Sequence, residues 1–290
     1  MANKKMDPLT VRILVEILLL VGALILLLVL IGNVWADIGG TDPEPTDDKP
    51  VETQSQQTDP EDTVPPDTSP QGILETFLED NDLTMADYPA WFPEVYEISG
   101  ENRDFLLQYP YKYGVQQTID ISGVDRTTVP LFIQWDDRWG YLDYNGNICG
   151  VSGCGPTCLS MVAYYWTGDA KYSPDYMLKF ATDKGYCVPG SGTDWNLFNV
   201  GAKELGFEVE TIAKVEKYVA DKVKAGIPVV ISVAPGTFTT TGHFMVLSGY
   251  EDGKFRINDC NSPEKSARLW DWDEFEAEVR QFWAISLPEK

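Results

Sequence analysis

The alternation of apolar and polar positions divides the chain into unlike stretches. Ile13 to Trp35 is almost wholly apolar, and Ile17 to Ile31 carries no polar side chain. Such a run predicts one helix immersed in hydrocarbon, because at about 1.5 Å rise per residue it crosses a core roughly 30 Å thick. Glu16 lies near one end, within reach of the interface. Over residues 37–70 the pattern vanishes: acidic side chains stand against Lys49 alone, and Pro43, Pro45, Pro50, Pro60, Pro65, Pro66 and Pro70 interrupt any regular element. That composition predicts a disordered, extended linker, since it cannot bury enough apolar area to offset its ordering entropy. Helical spacing resumes in Ile73, Leu74, Phe77 and Leu78 and again in Phe105, Leu106 and Leu107, so residues 71–128 read as a short helical arm. Trp91, Phe92, Tyr96, Tyr109, Tyr111 and Tyr113 need a surface to pack on, and the arm is expected to lie against the domain that follows. A glycan-binding surface is the other use of such aromatics.

Residues 129–290 mix helical and strand patterns, as an α+β domain does. Pro156 suits the first turn of a helix whose stripe is Leu159, Val162, Ala163 and Trp166, with Gly168 as its stop. A second helix is predicted from Trp195 to Leu205, ended by Gly206. A third runs from Val215 to Ala225, closed by Gly226 and Pro228. Val229–Val233, His243–Tyr250 and Phe255–Asp259 read as strands, the last two joined at Asp252-Gly253.

Charge orients and excludes. Lys4, Lys5 and Arg12 precede the apolar run, and Asp37, Asp42, Glu44, Asp47 and Asp48 follow it. The positive-inside rule therefore makes residues 1–36 a cytoplasmic tip and a single-pass signal anchor in the cell membrane, with the rest extracytoplasmic. Val34-Trp35-Ala36 resembles a signal cleavage site, which would give a secreted chain instead, but the run exceeds the usual ~7 to 15 apolar residues. The whole chain carries a net charge of −23, which excludes nucleic acid as a partner because phosphate binding draws on Lys and Arg.

One histidine and five cysteines limit the chemistry. Cys154 is predicted at the start of the first helix, within Ser152-Gly153-Cys154-Gly155-Pro156-Thr157, where unsatisfied N–H groups favour an anion and a thiolate is the nucleophilic form. His243 is the sole imidazole able to share its proton. Asp259 could orient that imidazole, with Asn258 or Asn261 as replacements. Strand register tests the pairing. A two-residue Asp252-Gly253 turn would set Asp259 opposite Val246, on the wrong face, so a three-residue loop or an equivalently bulged connection is predicted, with Asp259 opposite Met245. Gln134 could donate its amide to an oxyanion beside the Cys154 N–H. Cys149, Cys158, Cys187 and Cys260 remain, able to pair in an exported protein. Zinc at Cys149, Cys154 and Cys158 is disfavoured, because no Cys-x-x-Cys pair exists and His243 is distant.

Gln134, then Gly153-Cys154-Gly155-Pro156-Thr157 opening a helix, then Gly242-His243-Phe244, then Asn258-Asp259 resembles the papain-like cysteine peptidases. Within them it looks most like the bacterial branch typified by the double-glycine leader peptidases of bacteriocin exporters. The resemblance spans about residues 129–286 and includes Gly226-Ile227-Pro228-Val229-Val230. It implies a nucleophile-bearing helix packed on an antiparallel sheet, with Cys154 as nucleophile, His243 as general base and acid, Asp259 as orienter and Gln134 as oxyanion donor. Leader peptidases act in the cytoplasm attached to a pump, whereas this domain is expected outside with no transporter segments following, so double-glycine cleavage is not assumed. The expectation is a membrane-anchored cysteine hydrolase of peptide or protein substrates, using no metal or organic cofactor. Wall-peptide amidase or acyltransferase work on the same scaffold, and a noncatalytic surface binding module, are the alternatives. The sequence leaves the oligomeric state open.

Overall fold

The computed structural model describes residues 67–190 and 192–289. The apolar run Ile13–Trp35, with the anchor and cytoplasmic tip read from it, and the linker up to residue 66 lie outside the described residues. Among the described residues no helix is long and apolar enough to cross a membrane.

Local chemistry starts the helices of the arm. Ser69 Oγ accepts from the Gly72 N–H at 3.1 Å, and Pro70 fills the first position of α1 (Pro70–Asp80). Pro93 plays a similar part in α2 (Phe92–Ile98), and α3 (Arg103–Leu107) follows. Leu74, Phe92, Tyr96, Phe105 and Leu106 close one apolar cluster with Tyr141 and Ile148. Phe105 stacks on Tyr141 with ring centroids 4.1 Å apart, and the Tyr141 hydroxyl donates to Phe105 O at 2.8 Å. Shared burial therefore seats the arm on the segment that leads into the first long helix of the body.

That segment is a small ladder, β1 (Asp143–Tyr144) with β2 (Asn147–Ile148), followed by α4 (Cys149–Ser152) and α5 (Cys154–Thr167). Gly168, in the left-handed region at φ +65°, ends α5 where the sequence places its stop. Next come α6 (Pro174–Asp183) and the ladder of β3 (Cys187–Val188) with β4 (Gly192–Thr193). The predicted helix from Trp195 to Leu205 is present, π-helical over Leu197–Gly201 and continuing through Ala202–Glu204.

The remaining elements build a six-stranded antiparallel sheet. In chain order they are β5 (Glu208–Thr211), α7 (Glu216–Lys224), β6 (Val229–Val233), β7 (His243–Glu251), β8 (Lys254–Asn258), α8 (Pro263–Ser266), β9 (Leu269–Trp270) and β10 (Val279–Ser286). In space the strands run β5-β10-β6-β7-β8-β9, all pairs antiparallel. Alternation sends Val230, Phe244, Val246, Trp283 and Ile285 into the core built around α5. Val229, Ile231, Met245, Leu247 and Phe282 join Val219, Ala220 and Val223 of α7 on the other side. The domain is thus α+β, with the Cys154 helix packed on an antiparallel sheet.

Of the two connections expected between β7 and β8, the structure has the bulged one and not the three-residue loop. Asp252 (φ +52°) and Gly253 (φ +81°) form a two-residue turn that pairs Glu251 with Lys254, because Asp-Gly accepts the two left-handed conformations a tight hairpin requires. The correction comes farther up the strand. Leu247 pairs with Ile257 and Gly249 with Arg256, so Ser248 is an extra residue, a β-bulge. Beyond it Val246 faces Asn258, and one more step sets Asp259 beside Met245, on the face of His243.

Candidate active site

Cys154 is the first residue of α5 and is half-buried. Gly153 turns the corner from α4. A side chain there would come within 2.5 Å of Cys149 Sγ, so the turn is too tight for anything larger. Gly155 lets the helix start press on Thr193, whose side chain would sit 2.7 Å from an added Cβ. Backbone N–H groups of this first turn have no acceptor within the helix and face whatever approaches Cys154.

His243 opens β7 opposite Val233, at the end of the sheet. Its Nε2 lies 2.7 Å from Asp259 Oδ1, with the imidazole 6% exposed and the carboxylate wholly buried. Nδ1 is the ring nitrogen left over. Burial by itself opposes a charged imidazole here. The negative field and hydrogen bond of Asp259, with the nearby Cys154 thiol, outweigh it and hold the His243 pKa well above the ordinary imidazole value.

Asp259 is fixed from several sides. Its Oδ1 also accepts the Asn261 N–H at 2.9 Å, and its own N–H donates to Ser266 Oγ at 2.9 Å. Among the described residues its buried Oδ2 has no hydrogen-bond partner. Asn258 points to the opposite face, donating through Nδ2 to Val129 O at 3.0 Å and Pro130 O at 3.1 Å. Asn261 meets Asp259 through its backbone. Of the three candidates considered for orienting the imidazole, Asp259 is the one whose side chain reaches it.

Gln134 is buried beside these groups. Its Nε2 donates to Gly150 O at 3.1 Å, its backbone N–H donates to Cys260 O at 2.8 Å, and its Oε1 accepts from Cys260 Sγ at 3.3 Å. One of the two Nε2 protons is thereby committed and one remains. The five cysteines are all free thiols. Cys149, Cys154 and Cys158 do not converge on a ligand cluster. Among the described residues the group of potential ligand atoms lying within 4.8 Å of one another is His243, Asp259 and Cys260, already bonded to each other or to Gln134.

Three residues around the site carry no sequence pattern of their own. Cys260 follows Asp259, and Ser266 bonds to its backbone. Glu101 comes from the arm: its carboxylate accepts the Ser262 hydroxyl and, at 2.9 Å, the Glu264 N–H. Adjacency to Asp259 is the one signal that could have singled out Cys260; Glu101 is 163 residues from Glu264 and has none.

The family model described as Peptidase_C39 like family matches residues 126–286. Among solved structures the chain is similar to the peptidase domain of Streptococcus ComA, a bi-functional ABC transporter involved in a quorum sensing pathway. That likeness has 22% identity and a TM-score of 0.37, covering 47% of this chain and 93% of the other. It is also similar to a C39-like peptidase from Bacillus anthracis, at 20% identity and a TM-score of 0.34, covering 60% and 100%. No curated protein sequence matches the chain.

Proposed function

The chain belongs to the Peptidase_C39 like family, and from that premise we propose a membrane-anchored, extracytoplasmic cysteine peptidase in which Cys154, His243, Asp259 and Gln134 carry the reaction. The observation that carries the reading is the buried 2.7 Å contact of His243 Nε2 with Asp259 Oδ1, which leaves Nδ1 for the thiol at the start of α5.

In the proposed reaction, Cys154 Sγ attacks the carbonyl carbon of a bound peptide bond as the thiolate, its proton already held on His243 Nδ1 in keeping with the raised pKa of that ring. The carbonyl oxygen takes the electron pair and becomes an oxyanion, held by the Cys154 N–H and the free Nε2 proton of Gln134. Collapse of this intermediate breaks the C–N bond. His243 gives its proton to the departing amine, leaving a thioester on Cys154. Water then attacks the thioester, losing a proton to His243, and a second oxyanion collapses to release the acid and restore the thiol. Asp259 keeps the ring oriented and stabilises its charged form throughout.

The apolar run Ile13–Trp35 and the charge step around it support placing this chemistry outside the membrane. A net charge of −23 favours encounter with neutral or cationic peptides. The test is alkylation with iodoacetamide at mildly acidic pH, followed by peptide mapping. Fast modification confined to Cys154, absent in His243→Ala, is expected. Slow, equal labelling of several cysteines in the wild type would overturn the reading.

A further inference from the structure

Cys260 directly follows Asp259, so the two side chains leave the chain on opposite faces. Asp259 reaches His243, whereas the Cys260 thiol turns toward α5 and is wholly buried in the core with Cys158 and Phe244. There it donates to Gln134 Oε1 at 3.3 Å, while the carbonyl of the same residue accepts the Gln134 backbone N–H at 2.8 Å. Residue 260 thus grips both the backbone and the side chain of Gln134. The other carbonyls within reach of the thiol, Phe244 O at 3.7 Å and Cys154 O at 3.8 Å, are farther away.

A primary amide has two ends of similar shape and opposite polarity. Only the N–H end stabilises an oxyanion; the carbonyl end would repel it. Gly150 O, on the turn of helix just before Cys154, accepts one Nε2 proton and so marks the end that faces the Cys154 corner. Rotating the amide by half a turn would set Oε1 against the Gly150 carbonyl, a repulsive pair in a buried place, and would force the thiol to turn its proton from Gln134 to the more distant Phe244 or Cys154 carbonyl. Burial, and after it the neighbouring Cys158 thiol, pushes the Cys260 thiol well above its ordinary pKa, so it stays a donor.

We propose that Cys260 is a positioning residue for the peptidase reaction: its S–H locks the Gln134 amide with a free N–H aimed at the carbonyl bound on Cys154. This rests on the function proposed above for the same site.

The test uses the full chain with Cys260→Ala, Cys260→Ser and Gln134→Ala. Exchange of the Gln134 side-chain amide protons is followed by ¹⁵N NMR, with Gln134→Ala identifying the signal. Turnover is measured on a fluorogenic peptide amide, affinity on the peptide aldehyde leupeptin, whose adduct builds an oxyanion, and Cys154 reactivity on iodoacetamide, whose displacement builds none. In Cys260→Ala the amide protons are expected to exchange faster and kcat to fall about tenfold with KM kept, within the ~10² to 10³ loss expected for Gln134→Ala itself. Leupeptin affinity should fall in parallel while alkylation keeps its rate. Cys260→Ser, which keeps a donor, should recover most of each. Unchanged amide exchange in Cys260→Ala, or alkylation that falls together with kcat, would overturn the proposal, the second outcome making Cys260 a support of the fold alone. Should the wild type neither turn over nor bind leupeptin, the peptidase reading fails, and amide exchange still decides whether Cys260 holds Gln134.

Discussion

The Ser248 hydroxyl donates to Asn258 Oδ1 at 2.7 Å, although Ser248 is the residue of β7 with no counterpart on β8. The bulged residue is thereby tied to the position whose Nδ2 holds Val129 O and Pro130 O on the α5 side. With Asn258 committed to that face, the next residue, Asp259, must leave on the face of His243. A bulge five residues along β7 from His243 thus decides which side chain meets the imidazole.

Deleting Ser248 removes the extra residue and leaves β7 and β8 a regular hairpin from the two-residue turn. Leu247 then still pairs with Ile257 and Val246 with Asn258, so Asp259 keeps its place beside Met245, on the face of His243. The expected outcome is a folded chain, by circular dichroism, with turnover close to that of the wild type and about 1 kcal/mol less stable for want of the Ser248–Asn258 hydrogen bond. A folded deletion variant whose turnover falls by about 10²-fold or more, the range general acid–base groups contribute, would show that the bulge does more than set the pairing.

His243 is the single histidine of the chain, so its ring protons give one assignable NMR titration. The midpoint is expected well above the ordinary ~6.5 of an imidazole, since Asp259 and Cys154 outweigh burial. Asp259→Asn removes the carboxylate and leaves burial in place, so the midpoint should fall below that of the wild type. The sign for stability follows. A raised folded-state pKa means the charged ring contributes stability fully below the unfolded-state value of ~6.5, and that contribution is lost as pH rises through the folded-state value. Urea unfolding should therefore show the advantage of the wild type over His243→Gln shrinking between mildly acidic and alkaline pH. An advantage that grows with pH would contradict the assignment.

Much of this was legible in the sequence. Pro156 and Gly168 bracket α5 because one tolerates a helix start and the other a left-handed stop. The β-branched run Val229–Val233 and the Asp252-Gly253 pair announce strands and their turn. Other parts were hidden because tertiary pairing decides them. β10 is buried on both faces and carries an irregularity between Val279 and Gln281, so no alternation marks it, and nothing local says that it inserts between β5 and β6. The Ser248 bulge has no residue signature, since a serine in a strand usually means a solvent face. At the site, Cys154, His243, Asp259 and Gln134 were named from residue chemistry and order. Cys260 was not, because a thiol's use as a hydrogen-bond donor appears only once its acceptor is in view.

Glu101 holds the loop that follows Asp259. Its carboxylate accepts from Ser262 and Glu264 at the start of α8, and the last residue of that helix, Ser266, accepts the Asp259 N–H. Glu101→Ala should lower the unfolding free energy by about 1 kcal/mol, a modest figure because the carboxylate is partly solvated. It should also speed amide exchange at Glu264 and Asp259 before exchange elsewhere in the sheet. Hydrogen exchange read residue by residue checks this, and uniform acceleration across the chain would mean that the arm supports the fold without holding this loop.

Phe105 is where the arm bears most directly on the site. Its ring edge lies over Gly140, where an added Cβ would come within 2.7 Å of it, and still more tightly over Gly150, whose carbonyl accepts from Gln134. Gly150→Ala should therefore overpack the contact and cost about 1 to 3 kcal/mol, despite the better helix propensity of alanine. Phe105→Ala should empty it, at about 3 to 5 kcal/mol. The two changes oppose each other, since without the ring the new methyl loses its closest contacts and keeps the Trp135 Cβ at 3.2 Å. In a double-mutant cycle by urea denaturation the combined variant should be less destabilised than the sum of the single ones, by about 0.5 to 3 kcal/mol. Additive losses would mean that the ring does not rest on Gly150 in solution.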